Sequence, residues 1–445
     1  MRPAPCRAAR WGVWGALADS LSISSGNAWS IMTRRSNATP GSRLGEGRAG
    51  AIVIGGAPVG LAIVRSLGRN GIPVCVLREG DNFVATTSRF RSFSLSWPNR
   101  DDDRQIDYLV DLATTRGLEG WTVYPTSDET AALLGRYHEQ LSEHFVVASP
   151  PWSVFRWAYD KRLTYRLAAD VGVACPRTYY PRTREEVAGL DCAFPVILKP
   201  AVKLQENVFT HAKAWPAHDR AALVAGYEEA RRFVDPDTVM VQELIPGGGD
   251  AQFSYAALSE AGHPKAVLIA RRTRQYPPDF GRASSFVETV DESGLEEPSQ
   301  QLLRAINLTG IAELEFKRDP RDGQHKLLDI NARAWAWQEL GRRAGVDFPY
   351  LFWKLLHDEP TPPVRARTSV RWMRPTTDVR AAAHEMREGR LAPRQYLRSL
   401  RRPLVFALFA RDDPVPAISE LPLFSYVLYR RFRRLRSHAP RRSRK

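Results

Sequence analysis

Between Gly310 and Arg333 the chain reads GIAELEFKRDPRDGQHKLLDINAR. Ile311 to Phe316 alternates apolar and polar side chains, the period of a half-buried strand, and Lys326 to Asn331 does so again. The cluster Asp319-Pro320-Arg321-Asp322-Gly323 between them is turn chemistry, so the stretch predicts a hairpin. Closing it near Arg321 sets Glu315 opposite Leu328 and Asp329, while Asp329, Asn331 and Arg333, spaced two apart, share one face. Two carboxylates, an amide oxygen and a guanidinium then converge. Carboxylate and amide oxygens are hard donors suited to Mg2+, and an arginine adds a bidentate grip on phosphate or carboxylate. The stretch reads as the metal and phosphate floor of a nucleotide site; the alternative is a solvent-facing hairpin with ordinary surface charges.

At 445 residues and 43% hydrophobic content the chain has material for two or three globular domains. No apolar run is long enough to span a bilayer, the longest being Pro403 to Ala410. The net charge of +15 sits in one place: Thr361 to Lys445 carries 21 basic and six acidic residues, and the remaining 43 and 43 cancel. The basicity belongs to the tail rather than to the body that carries the chemistry. Cys6, Cys75, Cys175 and Cys192 show neither close pairing nor metal-ligand spacing, which fits a reducing cytoplasm.

Residues 1–48, with seven arginines, two acids and no sustained periodicity, read as a basic, disordered leader. Residues 49–148 form an α/β unit. Ala51 to Ile54 is a strand, Gly55-Gly56-Ala57-Pro58-Val59-Gly60 a turn into a helix, and Ile72 to Leu77 the next strand, with Glu79 placed where an acid would hold a ribose. The spacing is G-G-x-x-x-G, and Pro58 removes one phosphate-facing amide, so βα packing competes with dinucleotide binding as the reason for the glycines. A strand at Trp121 to Tyr124 and an amphipathic helix from Ser127 to Leu141 follow.

From Trp152 the pattern changes. Lys161 enters a helix that ends near Gly172, and Phe194 to Pro200 is a buried strand ending in Lys199. A lysine at a strand end ordinarily reaches for water, but two of them ahead of an acidic hairpin suit a polyphosphate. Thr238 to Asp250 is a strand running into a glycine turn, whose edge can offer backbone donors and acceptors to a flat ring. Phe253 to Leu258 and Ala266 to Arg272 pair as strands, with Arg271, Arg272 and Arg274 at the end of the second.

Taken in order, DKRLTYRLAADVGVACP with Lys161, FPVILKP with Lys199, VMVQELIPGGG with Glu243, GIAELEF with Glu315 and LLDINAR with Asp329, Asn331 and Arg333 resemble the ATP-grasp superfamily, and within it carboxylate-amine ligases of the D-aspartate ligase and amino-acid ligase kind. The resemblance covers about residues 51–360. It implies an α/β and α+β architecture: a Rossmann-like pre-ATP-grasp domain over 49–148, a two-subdomain ATP-grasp fold over 149–360, and a basic C-terminal extension with helices and a disordered end over 361–445. It places Lys161 and Lys199 on the α and β phosphates, and Gln242, Glu243, Leu244 and Ile245 at the adenine edge. Asp250 falls near the ribose or the substrate amine. Glu315, Asp329 and Asn331 become Mg2+ ligands, with Mn2+ as an alternative ion. Arg333 lies on the transferred phosphoryl group, and Arg272, in competition with Arg271, near the γ phosphate. Asp329 departs from the family's usual glutamate by one methylene, and the loop after Lys199 lacks a glycine-rich lid.

The implied activity is ATP-dependent formation of an amide from a small carboxylate and an amine, through an acyl phosphate, with release of ADP and phosphate. No nucleophilic side chain is needed, which agrees with the absence of a Ser/His/Asp or Cys/His signature. Two rivals stand beside it: an NAD(P)- or flavin-dependent oxidoreductase built on Gly55 to Gly60, and a non-catalytic ATP-binding protein tethered by its tail. Phe424, Tyr426, Tyr429 and Phe432 among the tail arginines suit an anionic membrane surface, placing the protein in the cytoplasm or peripherally at the membrane. Nucleic acid has no recognition motif here.

Overall fold

The structure, a computed structural model, describes residues 49–420 except 81, 99–100, 203–206, 279–280, 282 and 402. The leader and the aromatic and arginine-rich run after Glu420, which carries the membrane expectation, lie outside the described residues.

The first body contains β1 (Ala51–Ile54), α1 (Pro58–Arg69), β2 (Val74–Arg78), β3 (Phe93–Ser96), α2 (Asp102–Arg116), β4 (Thr122–Pro125), α3 (Asp128–Arg136), α4 (His138–Ser142) and β5 (Val146–Val147). Its strands are all parallel in the order β3-β2-β1-β4-β5, the doubly wound arrangement. Residues 51–54 and 74–77 are buried, as central strands of a two-sided sheet must be. The single helix expected over 127–141 is two, interrupted at Tyr137, with the Ser127 hydroxyl capping α3 by accepting from the Thr130 amide at 3.2 Å.

The glycine turn is occupied by the chain itself. A Cβ on Gly56 would lie 1.8 Å from the Asn82 carbonyl, and one on Gly60 2.1 Å from the Gly55 carbonyl. The Ala85 amide also donates to the Gly56 carbonyl at 2.8 Å. Backbone therefore lies where a pyrophosphate would approach Gly56, and βα packing accounts for the glycines.

The second body contains α5 (Trp152–Tyr159), α6 (Lys161–Asp170), β6 (Thr178–Tyr179), α7 (Arg184–Gly189), β7 (Val196–Pro200), α8 (Val208–His211), β8 (Trp215–Ala217), α9 (Arg220–Ala230) and β9 (Val239–Glu243). Its antiparallel sheet runs β6-β9-β7-β8. Val196, Leu198, Val239 and Val241 pack on α7 and α9 through Val187, Leu223 and Tyr227. The opposite face carries Lys199 and Met240, and Met240 packs against Tyr165 of α6.

The third body contains β10 (Gln252–Glu260), β11 (His263–Tyr276), β12 (Ala283–Thr289), α10 (Glu296–Ala305), β13 (Gly310–Arg318), β14 (His325–Asn331), α11 (Glu339–Ala344), α12 (Phe348–Leu356), β15 (Val364–Arg365), β16 (Arg371–Met373), α13 (Pro375–Arg387), α14 (Pro393–Ser399) and β17 (Leu404–Phe406). The sheet order is β14-β13-β10-β11-β12-β16-β17, with β15 added parallel to β11.

Among the described residues, 364–406 thus add strands to the same sheet, so the expected basic extension from 361 contributes to the third body as well as carrying helices. Two buried ion pairs anchor them. Arg274 on β11 donates to both oxygens of Asp378 on α13, at 2.8 and 3.0 Å. Arg65 on α1 donates to Asp413 Oδ2 at 2.9 Å, and that carboxylate also accepts from the Ser88 hydroxyl and the Arg89 amide. Its neighbour Asp412 takes both ends of the Arg69 fork, at 2.8 and 2.9 Å. Among the described residues no helix is long and apolar enough to cross a membrane.

Candidate active site

The hairpin forms as the sequence predicts. β13 and β14 pair Glu313 with Asn331 and Glu315 with Asp329, then slip so that Phe316 faces Leu327. Leu328 is the extra residue of a β-bulge. Its carbonyl accepts the Tyr165 hydroxyl at 2.7 Å, and Tyr165 in turn accepts Lys199 Nζ at 3.1 Å. Lys161 begins α6 under an Asp160 cap, and its amide bonds to the Ala201 carbonyl at the end of β7 at 3.0 Å. From there its Nζ reaches Asp329 Oδ1 at 2.5 Å. The two lysines predicted from separate segments therefore meet the same end of the hairpin.

The opposite flank is built from β11. Arg272 Nη2 lies 2.9 Å from Glu315 and 3.6 Å from Glu313. Burial works against its charge, but the two carboxylates outweigh it and hold its pKa above the usual range. Glu313 is buried, accepts the Ser254 hydroxyl at 2.8 Å and is pushed above the usual carboxylate range by burial and by Glu315. Burial also opposes the charge of Glu315, but Arg272 and Lys213 pull its pKa down. Lys199 is lowered to about 7, by burial first and by Lys161 second.

Asn331 Nδ2 donates to Glu315 Oε1 at 3.0 Å. Its oxygen faces Arg333 Nη2 at 3.4 Å. Glu315, Asp329 and Asn331 share one face of the hairpin, and their side-chain oxygens are hard donors of the kind that fits Mg2+, with the Asn331 amide turning its nitrogen toward Glu315. Among the described residues no group of three or more His, Cys, Asp and Glu side chains forms a metal cluster by itself.

Other expected residues go elsewhere. Arg271, Arg272 and Arg274 do not act together: Arg271 pairs with Glu288 at 2.5 Å and Arg274 with Asp378, which leaves Arg272 alone in the cluster. Gln242 is buried and its amide donates to the Thr178 hydroxyl at 2.8 Å, so its side chain is structural. Glu243 is held by Arg321 of the hairpin turn and accepts the Arg177 amide at 3.2 Å. The Leu244 amide is taken by the Pro195 carbonyl at 3.3 Å, whereas that of Ile245 has no backbone partner among the described residues. Asp250 is exposed in a short turn and does not join the cluster. A cavity of about 740 Å³ opens beside Glu243 and Leu244, walled by Cys175, Phe194, Arg321 and Lys326.

Sequence reasoning passed over Asp128, Tyr165 and Glu313. Glu313 carried a signal, since it lies two residues before Glu315 on an alternating strand. The others carried none, because their partners lie on remote segments.

Residues 236–378 match the family model described as ATP-grasp in the biosynthetic pathway with Ter operon. The chain carries an ATP-grasp domain. The D-aspartate ligase of Enterococcus faecium is 25% identical to the chain over 220 residues, 46% of this chain and 51% of that protein, so the chain spans about half the length of this curated relative. Among solved structures, the L-amino acid ligase of Bacillus licheniformis superposes with a TM-score of 0.54 at 15% identity, covering 70% of this chain and 75% of that one. The biotin carboxylase domain of Hydrogenobacter thermophilus 2-oxoglutarate carboxylase, solved with MgADP, ADP and bicarbonate, gives 0.58 at 15% identity over 73% and 74%. These likenesses establish the ATP-grasp fold.

Proposed function

We propose that the protein is an ATP-dependent carboxylate-amine ligase. The observation that carries this reading is the convergence of Lys161 and Lys199, from two elements of the second body, on the Asp329 end of a hairpin whose same face holds Glu315, Asn331 and Arg333. Cations for a polyphosphate thus stand against oxygen donors for a divalent ion. The D-aspartate ligase relative and the fold of the L-amino acid ligase support an acid and an amine as the joined partners.

In the proposed reaction an oxygen of the substrate carboxylate attacks the γ phosphorus. The bond to the β-γ bridging oxygen breaks, leaving ADP and an acyl phosphate. The amine nitrogen then attacks the acyl carbon, phosphate departs with the C–O electron pair, and the amine loses a proton. The protein's task is positioning and charge neutralisation. Lys161 exchanges Asp329 for phosphate oxygen, Lys199 faces the same chain of phosphates, and Arg333, its fork held by Asp128, sets its positive charge beside the moving phosphoryl group. Glu315, Asp329 and Asn331 would hold Mg2+, which when bound neutralises charge on the phosphate oxygens. The Ile245 amide, which has no backbone partner among the described residues, and the cavity beside Glu243 suit the base.

The test is an ADP-release screen with Mg-ATP over amino acids, amino sugars and sugar acids, with mass detection of the product. Asp329→Ala and Lys199→Ala are expected to abolish release. Turnover unchanged in both variants would remove the assignment.

A further inference from the structure

Tyr165 lies one turn of α6 beyond Lys161, so both side chains leave the same face of that helix. Its ring is buried, 5% exposed, and packs against Ala201, Val202 and Met240 of the second body. The hydroxyl at the end of that ring sits where three segments meet. It lies 2.7 Å from the Leu328 carbonyl of the hairpin and 3.1 Å from Lys199 Nζ at the end of β7. Lys199 Nζ is also 5.5 Å from the centre of the same ring.

The chemistry of these groups fixes the direction of each bond. A phenol has one proton and a carbonyl can only accept, so the proton of Tyr165 goes to Leu328. The tyrosine oxygen is left with lone pairs alone, and Lys199 must donate to it. An ammonium has three N–H groups. One is taken by Tyr165, and Lys199 makes no ion pair among the described residues, so the others remain for a ligand.

Leu328 is the bulge residue, without a partner in the β13-β14 ladder, and it directly precedes Asp329. The Leu327 amide donates to the Ala174 carbonyl at 2.8 Å, which ties the segment after α6 to the same part of β14. Lys199 belongs to the second sheet, yet its tip is thus referenced to the hairpin of the third body.

We propose that Tyr165 is a positioning residue for Lys199: the bulge carbonyl orients its hydroxyl, and the hydroxyl holds the lysine at a set distance from the hairpin so that its remaining N–H groups meet the phosphates of the nucleotide. The inference rests on the reading of Lys199 as a phosphate contact. It gives the bulge a task, to keep the cation of one body in step with the oxygen donors of another.

The experiment is calorimetric titration of the full chain with Mg-ADP and with adenosine, for the wild type, Tyr165→Phe, Lys199→Met and the double variant. Phenylalanine keeps the ring and its packing and removes only the hydroxyl. Tyr165→Phe is expected to weaken Mg-ADP about tenfold, the scale of one hydrogen bond to a charged group. Adenosine affinity should stay within roughly twofold, because adenosine carries no phosphate for Lys199 to meet. In the Lys199→Met background the same change should alter Mg-ADP affinity by no more than roughly twofold, since the two residues act through one contact. If Lys199→Met binds Mg-ADP too weakly to titrate, the comparison with adenosine decides. Equal losses for adenosine and Mg-ADP, or an undiminished loss in the Lys199→Met background, would mean a structural role only and overturn the proposal. So would a Tyr165→Phe variant that binds Mg-ADP like the wild type while Lys199→Met does not. A wild type that fails to bind Mg-ADP, or a Lys199→Met variant that binds it undiminished, overturns the site reading and this inference with it.

Discussion

Asp128 and Arg333, 205 residues apart, are joined by a two-pronged bond: Arg333 Nε to Asp128 Oδ1 at 2.6 Å and Nη2 to Oδ2 at 2.8 Å. Asp128 lies in the first turn of α3, so the first body holds the arginine that follows the hairpin. A fork gripped at both tips has one orientation left. Asp128→Ala is expected to lower kcat/KM about 10- to 100-fold with Mg-ADP affinity little changed, because a misaimed arginine costs alignment rather than nucleotide contact. Asp128→Asn, which keeps one acceptor, should fall between. Steady-state kinetics with calorimetry checks this, and an unaltered kcat/KM in the alanine variant would count against it.

Asp329 carries Lys161 at 2.5 Å and shares its register position with Glu315. Replacing this proposed ligand should weaken metal binding by at least the roughly 10- to 100-fold typical of a supporting residue. Asp329→Asn is therefore expected to raise the Mg2+ concentration for half-maximal ADP release by at least about tenfold, and an unchanged Mg2+ titration would contradict its place among the ligands.

Lys199 ionises at about 7 because burial and Lys161 disfavour its charge. Above that pH the free enzyme presents a neutral amine, and phosphate must bring a proton back to it. Mg-ATP affinity should then weaken as pH rises from about 7 to 9, by up to about tenfold per unit. Proton uptake on binding, measured by calorimetry in buffers of different ionisation enthalpy, checks the sign. The same shift means that the unfolded chain holds more protons between pH 7 and the ordinary lysine range, so this group's contribution to stability rises with pH there.

Arg65 and Asp413 are both buried, their side chains 1% and 0% exposed. Asp413→Ala strands a buried guanidinium and is expected to cost about 3–5 kcal/mol in chemical denaturation. Arg65→Met combined with Asp413→Leu should recover most of that loss, since neither charge is then left alone.

The hairpin, both lysines and the parallel first sheet were legible because each rests on local periodicity or on a charge at the end of an apolar run. The split of the helix at Tyr137 and the separate destinations of Arg271, Arg272 and Arg274 were not, because tertiary partners decide them. The region beyond 360 was legible only in part, for a related reason. Its arginines dominate its composition, while its place in the sheet depends on β16 and β17, which are three residues each, and on two buried aspartates. Asp128 was out of reach, since nothing in TSDETAALL marks the approach of a segment more than a hundred residues away.

The bulge at Leu328 sets different limits on drift in the two halves of the hairpin. Residues 319–323 turn the chain some distance from the cluster, and length can change there while Glu315 and Asp329 stay level. Loss of Ile330 or Ala332 would instead turn the residues after it to the face opposite Asp329, and loss of Leu328 would withdraw the carbonyl that seats Tyr165 beneath Lys199. In a comparison of homologous chains, the spacing between the bulge and the arginine should therefore be more constant than the identity of the residues around the turn.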